Sequence, residues 1–190
     1  MKDYTRAAEL WKEWNEKINV ISRKDTDHIY EHHILHSLAI ARYCRFLPGE
    51  TVLDLGCGGG FPGIPLAMEF PQASFTLCDS VGKKIIVASS VSEALGLDNV
   101  KCVNCRVETL PGTFDYVVTR AVASLDQLYP WVKGKYRKAL ICLKGGDVFS
   151  EIEVLCRKYR LQPSSVTVRP ISEWYDDDYF KEKFVIGIGR

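Results

Sequence analysis

A chain of 190 residues with 46% hydrophobic and 26% charged residues is long enough to bury a core, and one domain spanning 1–190 is expected. The net charge of +1 provides no global positive field, so any nucleic-acid partner must be held by a local patch. No apolar run reaches the ~18 residues of a membrane span, the first residues lack a signal-peptide core, and seven scattered cysteines suit reduced thiols in the cytoplasm.

The segment from Tyr4 to Ile21 is helical in pattern, because Ala7, Leu10, Trp11, Trp14 and Ile18 recur at spacings of three and four. A second helix is predicted from Asp25 or Thr26 to Phe46, with Ile34, Leu38, Ala41 and Tyr43 on its apolar face. Residues 1–48 therefore read as a helical extension that packs on a sheet built by the rest of the chain. Strands are predicted at Val52–Leu55, Ser74–Cys78, Val100–Val103, Phe114–Val118 and Ala139–Leu143. Between them fall helices at Ile64–Phe70, Lys83–Leu95 and, interrupted by Pro130 and Gly134, Leu125–Lys138. A last helix, Ile152–Tyr159, precedes two strands, Ser165–Val168 and Phe184–Ile188, separated by a polar loop. Alternation of strand and helix implies a mainly parallel sheet covered on both faces, and the final pair implies an antiparallel hairpin at one edge.

The first strand ends in Asp54-Leu55, and the loop after it holds Gly56, Gly58, Gly59 and Gly60. Glycines suit positive φ or close approach of a ligand, and the helix start beyond them presents free N–H groups. A dinucleotide fingerprint requires a third glycine where this chain has Phe61. Asp79, after the second strand, suits ribose hydroxyls in either an NAD or an S-adenosylmethionine (SAM) site. Asp54 separates the two cofactors. A carboxylate inside an apolar strand is costly unless something uses it, and it suits the cationic end of SAM while repelling a pyrophosphate.

The string Val52-Leu53-Asp54-Leu55-Gly56-Cys57-Gly58-Gly59-Gly60 resembles the first motif of the class I SAM-dependent methyltransferases. That resemblance implies a Rossmann-like, seven-stranded, mainly parallel sheet of order 3-2-1-4-5-7-6 with an antiparallel last strand. Further strings narrow it: Trp14-Asn15-Glu16-Lys17-Ile18-Asn19-Val20, His33-Ile34-Leu35-His36-Ser37-Leu38, Phe61-Pro62-Gly63-Ile64-Pro65, Asp79-Ser80, Arg106-Val107-Glu108, Thr119-Arg120-Ala121 and Leu143-Lys144-Gly145. Together they resemble the bacterial small-subunit rRNA guanine-N7 methyltransferases, the RsmG or GidB family. The resemblance covers about residues 10 to 190. It departs at His36-Ser37, where the family usually has Asp-Ser.

The resemblance implies methyl transfer from SAM to N7 of a guanine in 16S rRNA, presented as RNA, small subunit or assembly intermediate. It implies that Gly56, Gly58 and Phe61 line the cofactor pocket and that Asp79 holds the ribose. Val107 and Glu108 would flank the adenine, and Arg120 would face the reacting centre. Guanine N7 has an in-plane lone pair and no proton to lose, so orientation matters more than a general base. Arg120 and Lys144 are expected to contact guanine O6 or a phosphate. Methylation of a small molecule or protein, or a non-catalytic SAM- or dinucleotide-binding module, are the alternative readings.

His28, His32 and His36 repeat at i, i+4 beside His33, but no partner set accompanies them, so a surface or RNA-facing helix is expected rather than a metal site. Cys102 and Cys105 form a lone C-x-x-C and read as ordinary thiols. Trp11 and Trp14 read as core packing. Lys133, Lys135, Arg137 and Lys138 are the densest basic cluster, either a solubilising surface or an RNA patch. No heptads or second apolar face stand out, so a monomer is expected.

Overall fold

The computed structural model describes residues 4–120 and 122–189; Ala121 of the Thr119-Arg120-Ala121 string lies outside them. Its centre is a sheet of seven strands: β1 (Thr51–Leu55), β2 (Ser74–Asp79), β3 (Val100–Asn104), β4 (Phe114–Arg120), β5 (Tyr136–Gly145), β6 (Val166–Pro170) and β7 (Lys183–Gly189). Their order is β3-β2-β1-β4-β5-β7-β6. β1 to β5 run parallel, and β7 lies antiparallel between β5 and β6. This is the sheet expected from the sequence.

Alternate strand residues feed two apolar cores, as the pleat requires. Val52, Val118, Ile141 and Leu143 join one core. Leu53, Leu55, Val117, Leu140 and Cys142 join the other. The first core is covered by α1 (Thr5–Asn15), α2 (His36–Tyr43), α3 (Gly63–Glu69) and α4 (Gly82–Ala94), and the second by α5 (Leu125–Val132) and α6 (Val148–Tyr159). Trp11 is fully buried in the first core, as its spacing on the helix implies.

Several element boundaries differ from the sequence reading, among them the start of α6, at Val148 instead of Ile152. The first helix stops at Asn15 instead of Ile21, because the Asn15 side chain accepts the N–H groups of Val20 and Ile21 and folds the chain back. The second helix is not continuous. Residues 23–28 form a 3-10 turn, 30–35 a π-helical turn, and only His36–Tyr43 is α-helical. Such π turns re-aim side chains within a helix. The segment 125–138 also divides. Its helix ends at Val132, and Tyr136–Lys138 already belong to β5.

Candidate functional site

The carboxyl ends of β1, β2 and β4 meet at one edge of the sheet, where a parallel sheet leaves a crevice. The loop after β1 closes back on β2. The N–H groups of Gly56 and Cys57 both donate to the Cys78 carbonyl, at 2.8 and 3.1 Å. Gly56 has φ +67°, and a Cβ there would stand 2.6 Å from Cγ2 of Val122, so both the conformation and the space require glycine. The loop then tightens, with the Gly60 and Phe61 N–H groups sharing the Cys57 carbonyl, each at 2.8 Å. From outside, the Trp11 indole N–H donates to the Gly59 carbonyl at 2.8 Å.

Asp79 anchors the other side. Its Oδ2 accepts the Gly58 N–H at 2.9 Å, its Oδ1 accepts the Val81 N–H at 2.8 Å, and its carbonyl accepts from the Asn104 amide at 2.8 Å. Each carboxylate oxygen keeps a second lone pair for a ligand hydroxyl. The cavity so framed has a volume of about 460 Å³. Gly56, Gly58, Phe61, Asp79, Val107, Glu108 and Arg120 all line it, so seven of the eight residues expected around a cofactor converge. Val20, the last residue of the Trp14–Val20 string, lines it as well, as do Val122 and Trp131, which nothing in their local sequence singled out.

Asp54 is the eighth and does not line the cavity. It is fully buried beneath the loop, where Oδ2 accepts the Gly63 N–H at 2.7 Å. A Cβ on Gly63 would come 2.6 Å from that oxygen, so the start of α3 is seated directly on the carboxylate. Its Oδ1 has no partner among the described residues. Burial pushes the Asp54 carboxyl up to about 7, against the opposing pull of the Gly63 N–H and the Arg120 charge.

Arg120 ends β4 and is half-buried. Its guanidinium carbon lies 4.9 Å from the centroid of the Phe61 ring, a cation–π contact. One terminal nitrogen donates to His33 Nδ1 at 2.9 Å and the other to the His32 carbonyl at 3.3 Å. Arginine has no acceptor, so His33 Nδ1 is the bare nitrogen and the proton resides on Nε2. Burial, then the Arg120 charge, hold His33 down at about 3, and burial also drives His36 well below the usual range. Both rings are neutral at physiological pH. The histidines of the expected surface or RNA-facing helix therefore do not form an exposed face. His36 is buried, His32 stacks on Tyr179 with ring centroids 3.8 Å apart, and only His28 of the four is exposed.

Arg120 is also a wall of a second cavity of about 390 Å³, with His33, His36, Lys144, Tyr179 and Lys183. Lys144, expected from the sequence to contact guanine O6 or a phosphate, lines this cavity with its ammonium already engaged. Its ammonium donates to the Ala123 carbonyl and pairs with Glu151, both at 2.9 Å. Glu151 also accepts the Leu125 N–H, so this pair pins the chain between β4 and α5. The Lys133–Lys138 cluster lies at the opposite end of the sheet, at the amino end of β5. There Lys135 donates to the Leu110 carbonyl, Arg137 holds Asp115 and Thr113, and Lys138 pairs with Glu50. Cys105 lies 3.6 Å, sulfur to sulfur, from Cys78.

A family model described as rRNA small subunit methyltransferase G (GidB) matches residues 1–173. A protein of Porphyromonas gingivalis named ribosomal RNA small subunit methyltransferase G is 47% identical, over 97% of this chain and 85% of its own length. One of the same name from Christiangramia forsetii is 46% identical, over 96% and 87%. Among solved structures, magnesium protoporphyrin IX methyltransferase from Synechocystis with bound SAM superposes with TM-score 0.65 at 17% identity, over 99% of this chain and 94% of that one. A ribosomal protein L11 methylase from Lactobacillus delbrueckii superposes with TM-score 0.62 at 19% identity, over 82% and 76%. At such low identity these two establish the fold alone.

Proposed function

The chain belongs to the rRNA small subunit methyltransferase G family, and from that membership we propose that it transfers a methyl group from SAM to N7 of a guanine in 16S rRNA. The observation that carries the reading is Arg120, one guanidinium shared by two cavities. The first suits the methyl donor. It combines the Asp79 carboxylate with the apolar walls of Leu55, Val107, Val122 and Trp131. A side chain at Gly58 would meet no protein atom within 4 Å, so the loop leaves open space there. Beneath the loop, a cationic ligand end would draw the buried Asp54 carboxyl toward its ionised form.

When bound, SAM supplies a methyl group on a sulfonium, an electrophile that needs no general base. The residues of the chain hold and orient. Asp79 accepts the ribose hydroxyls, Val107 and Glu108 flank the adenine, and Gly56, Gly58 and Phe61 shape the floor. Arg120 donates to guanine O6 and so turns N7 toward the donor, the pairing that a fork of N–H groups favours. Phe61 fixes the plane of that guanidinium, and His33 holds its far edge. The helical front piece, 1–48, acts as part of this same domain, since Trp11 ties it to the glycine loop. The protein works as a monomer in the cytoplasm, where the rRNA is. Among the described residues no helix is long and apolar enough to cross a membrane.

The test is to map N7-methylguanine in 16S rRNA from cells with and without the gene, then restore wild type or Arg120→Ala. One guanine should lose its methyl group with the gene and regain it only with wild type. The purified Arg120→Ala protein should still bind SAM. An unchanged methylation map on gene removal would sink the reading.

A further inference from the structure

The second cavity has a charge pattern that the methyl-transfer chemistry does not explain. Its lining includes three cations, Arg120, Lys144 and Lys183, two imidazoles and a tyrosine, and no carboxylate. Guanine presents N7 and O6 as acceptors, but its N1 and N2 hydrogens are donors that call for acceptor side chains. Methylation at N7 also leaves the ring cationic, which such a lining opposes. An anion suits it better.

The cation available for that anion is Lys183. Arg120 is engaged by His33 and the His32 carbonyl, with its remaining N–H groups assigned to the base, and Lys144 is engaged by Glu151 and the Ala123 carbonyl. Lys183 has no ion-pair partner among the described residues. Its ammonium lies 4.2 Å from the centre of the Tyr179 ring. Tyr179 is in turn fixed, stacked on His32 at 3.8 Å and donating its hydroxyl to the His32 carbonyl at 3.1 Å. Its ring is occupied, so it serves the lysine as a platform rather than stacking a base. Burial lowers the Lys183 amine below the usual lysine range, against the opposing pull of Asp25 and Glu182, which marks an ammonium partly stripped of water.

We propose that the cavity walled by Arg120, Lys144, Tyr179 and Lys183 is a phosphate subsite, in which Lys183 binds a backbone phosphate of the target nucleotide. The inference rests on the reading of the neighbouring cavity as the methyl-donor site. Arg120 would then touch the base and Lys183 the phosphate, and two fixed points set the orientation of N7.

The test separates the two readings by measuring binding without turnover. The full-length protein, loaded with S-adenosylhomocysteine, is titrated calorimetrically with guanosine, guanosine 5′-monophosphate and inorganic phosphate. The monophosphate should bind roughly tenfold more tightly than guanosine, and inorganic phosphate should compete with it. Lys183→Met should abolish that difference while leaving S-adenosylhomocysteine affinity unchanged, and Lys183→Arg should restore most of it. With rRNA as ligand, Lys183→Met should reduce the slope of log affinity against log salt by about one. Equal binding of guanosine and its monophosphate to the wild type overturns the subsite. So does a difference that survives Lys183→Met. Failure of S-adenosylhomocysteine to bind would instead overturn the methyl-donor reading.

Discussion

The raised carboxyl of Asp54 has a thermodynamic consequence. The folded state keeps the proton up to pH of about 7, whereas the unfolded chain releases it near the ordinary value of 3.8. Between those values the native state binds more protons than the unfolded one. This group's contribution is therefore favourable below about pH 4 and fades as pH rises, at roughly 1.4 kcal/mol per pH unit. Asp54→Asn removes the titration while keeping an acceptor for Gly63. Its stability, followed by urea denaturation from pH 4 to 8, should gain on the wild type across that window. Parallel pH curves for the two proteins would contradict the assignment. In the sequence, an acid in an apolar strand signalled a use, and the structure supplies two. The carboxylate seats the first N–H of α3 at 2.7 Å, and it lies under a loop that shapes the donor cavity. Its absence from the cavity lining was not legible, because a strand pattern fixes which face a side chain takes and not how deep the following loop folds over it.

The strands of the sheet and their order were legible to within about three residues at each end, because alternating apolar strands and amphipathic helices have different periods. The front helices were less so. Their apolar spacing predicted burial but not the π turn at 30–35, which depends on the packing of His32 and His33 against Tyr179, Phe61 and Arg120. The tie between α1 and the glycine loop was likewise invisible, since it joins Trp11 to Gly59 across the fold. Trp11→Phe tests it. Phenylalanine retains stacking on Phe61, whose centroid lies 4.1 Å from that of Trp11, but leaves a buried carbonyl without its donor. Stability should fall by about 1–3 kcal/mol in chemical denaturation, and SAM affinity should fall with it as the loop loosens. Unaltered SAM affinity would show that the loop holds its shape without α1.

At the scale of the molecule, the modest net charge hides an uneven distribution. The Lys133–Lys138 segment was the densest basic run in the sequence, yet three of its four cations are engaged with Leu110, Asp115 and Glu50 at the amino ends of the strands. The cationic cavity is assembled instead from residues on separate segments, with Arg120, Lys144 and Lys183 each on a different strand, a pattern that no basic run of sequence reveals. One part of it follows from topology. An antiparallel last strand begins where the parallel strands end, so the first residue of β7, Lys183, arrives beside Arg120 at the end of β4. Lys133 lies far from that edge. Lys133→Glu should leave the KM for rRNA and its salt dependence within twofold of wild type, a margin of about 0.4 kcal/mol. A large rise in KM would move the RNA path to the opposite face.

Arg120 stands in the wall between two cavities, and that single placement makes their occupancies interdependent. A ligand that reorients the guanidinium from one side alters the free energy available on the other. Linkage then requires the two effects to be equal. The factor by which a bound cofactor tightens the nucleotide is the factor by which the nucleotide tightens the cofactor. Coupling through such a shared wall can be read as a change in cofactor affinity when nucleotide is added, and the reverse titration must return the same factor.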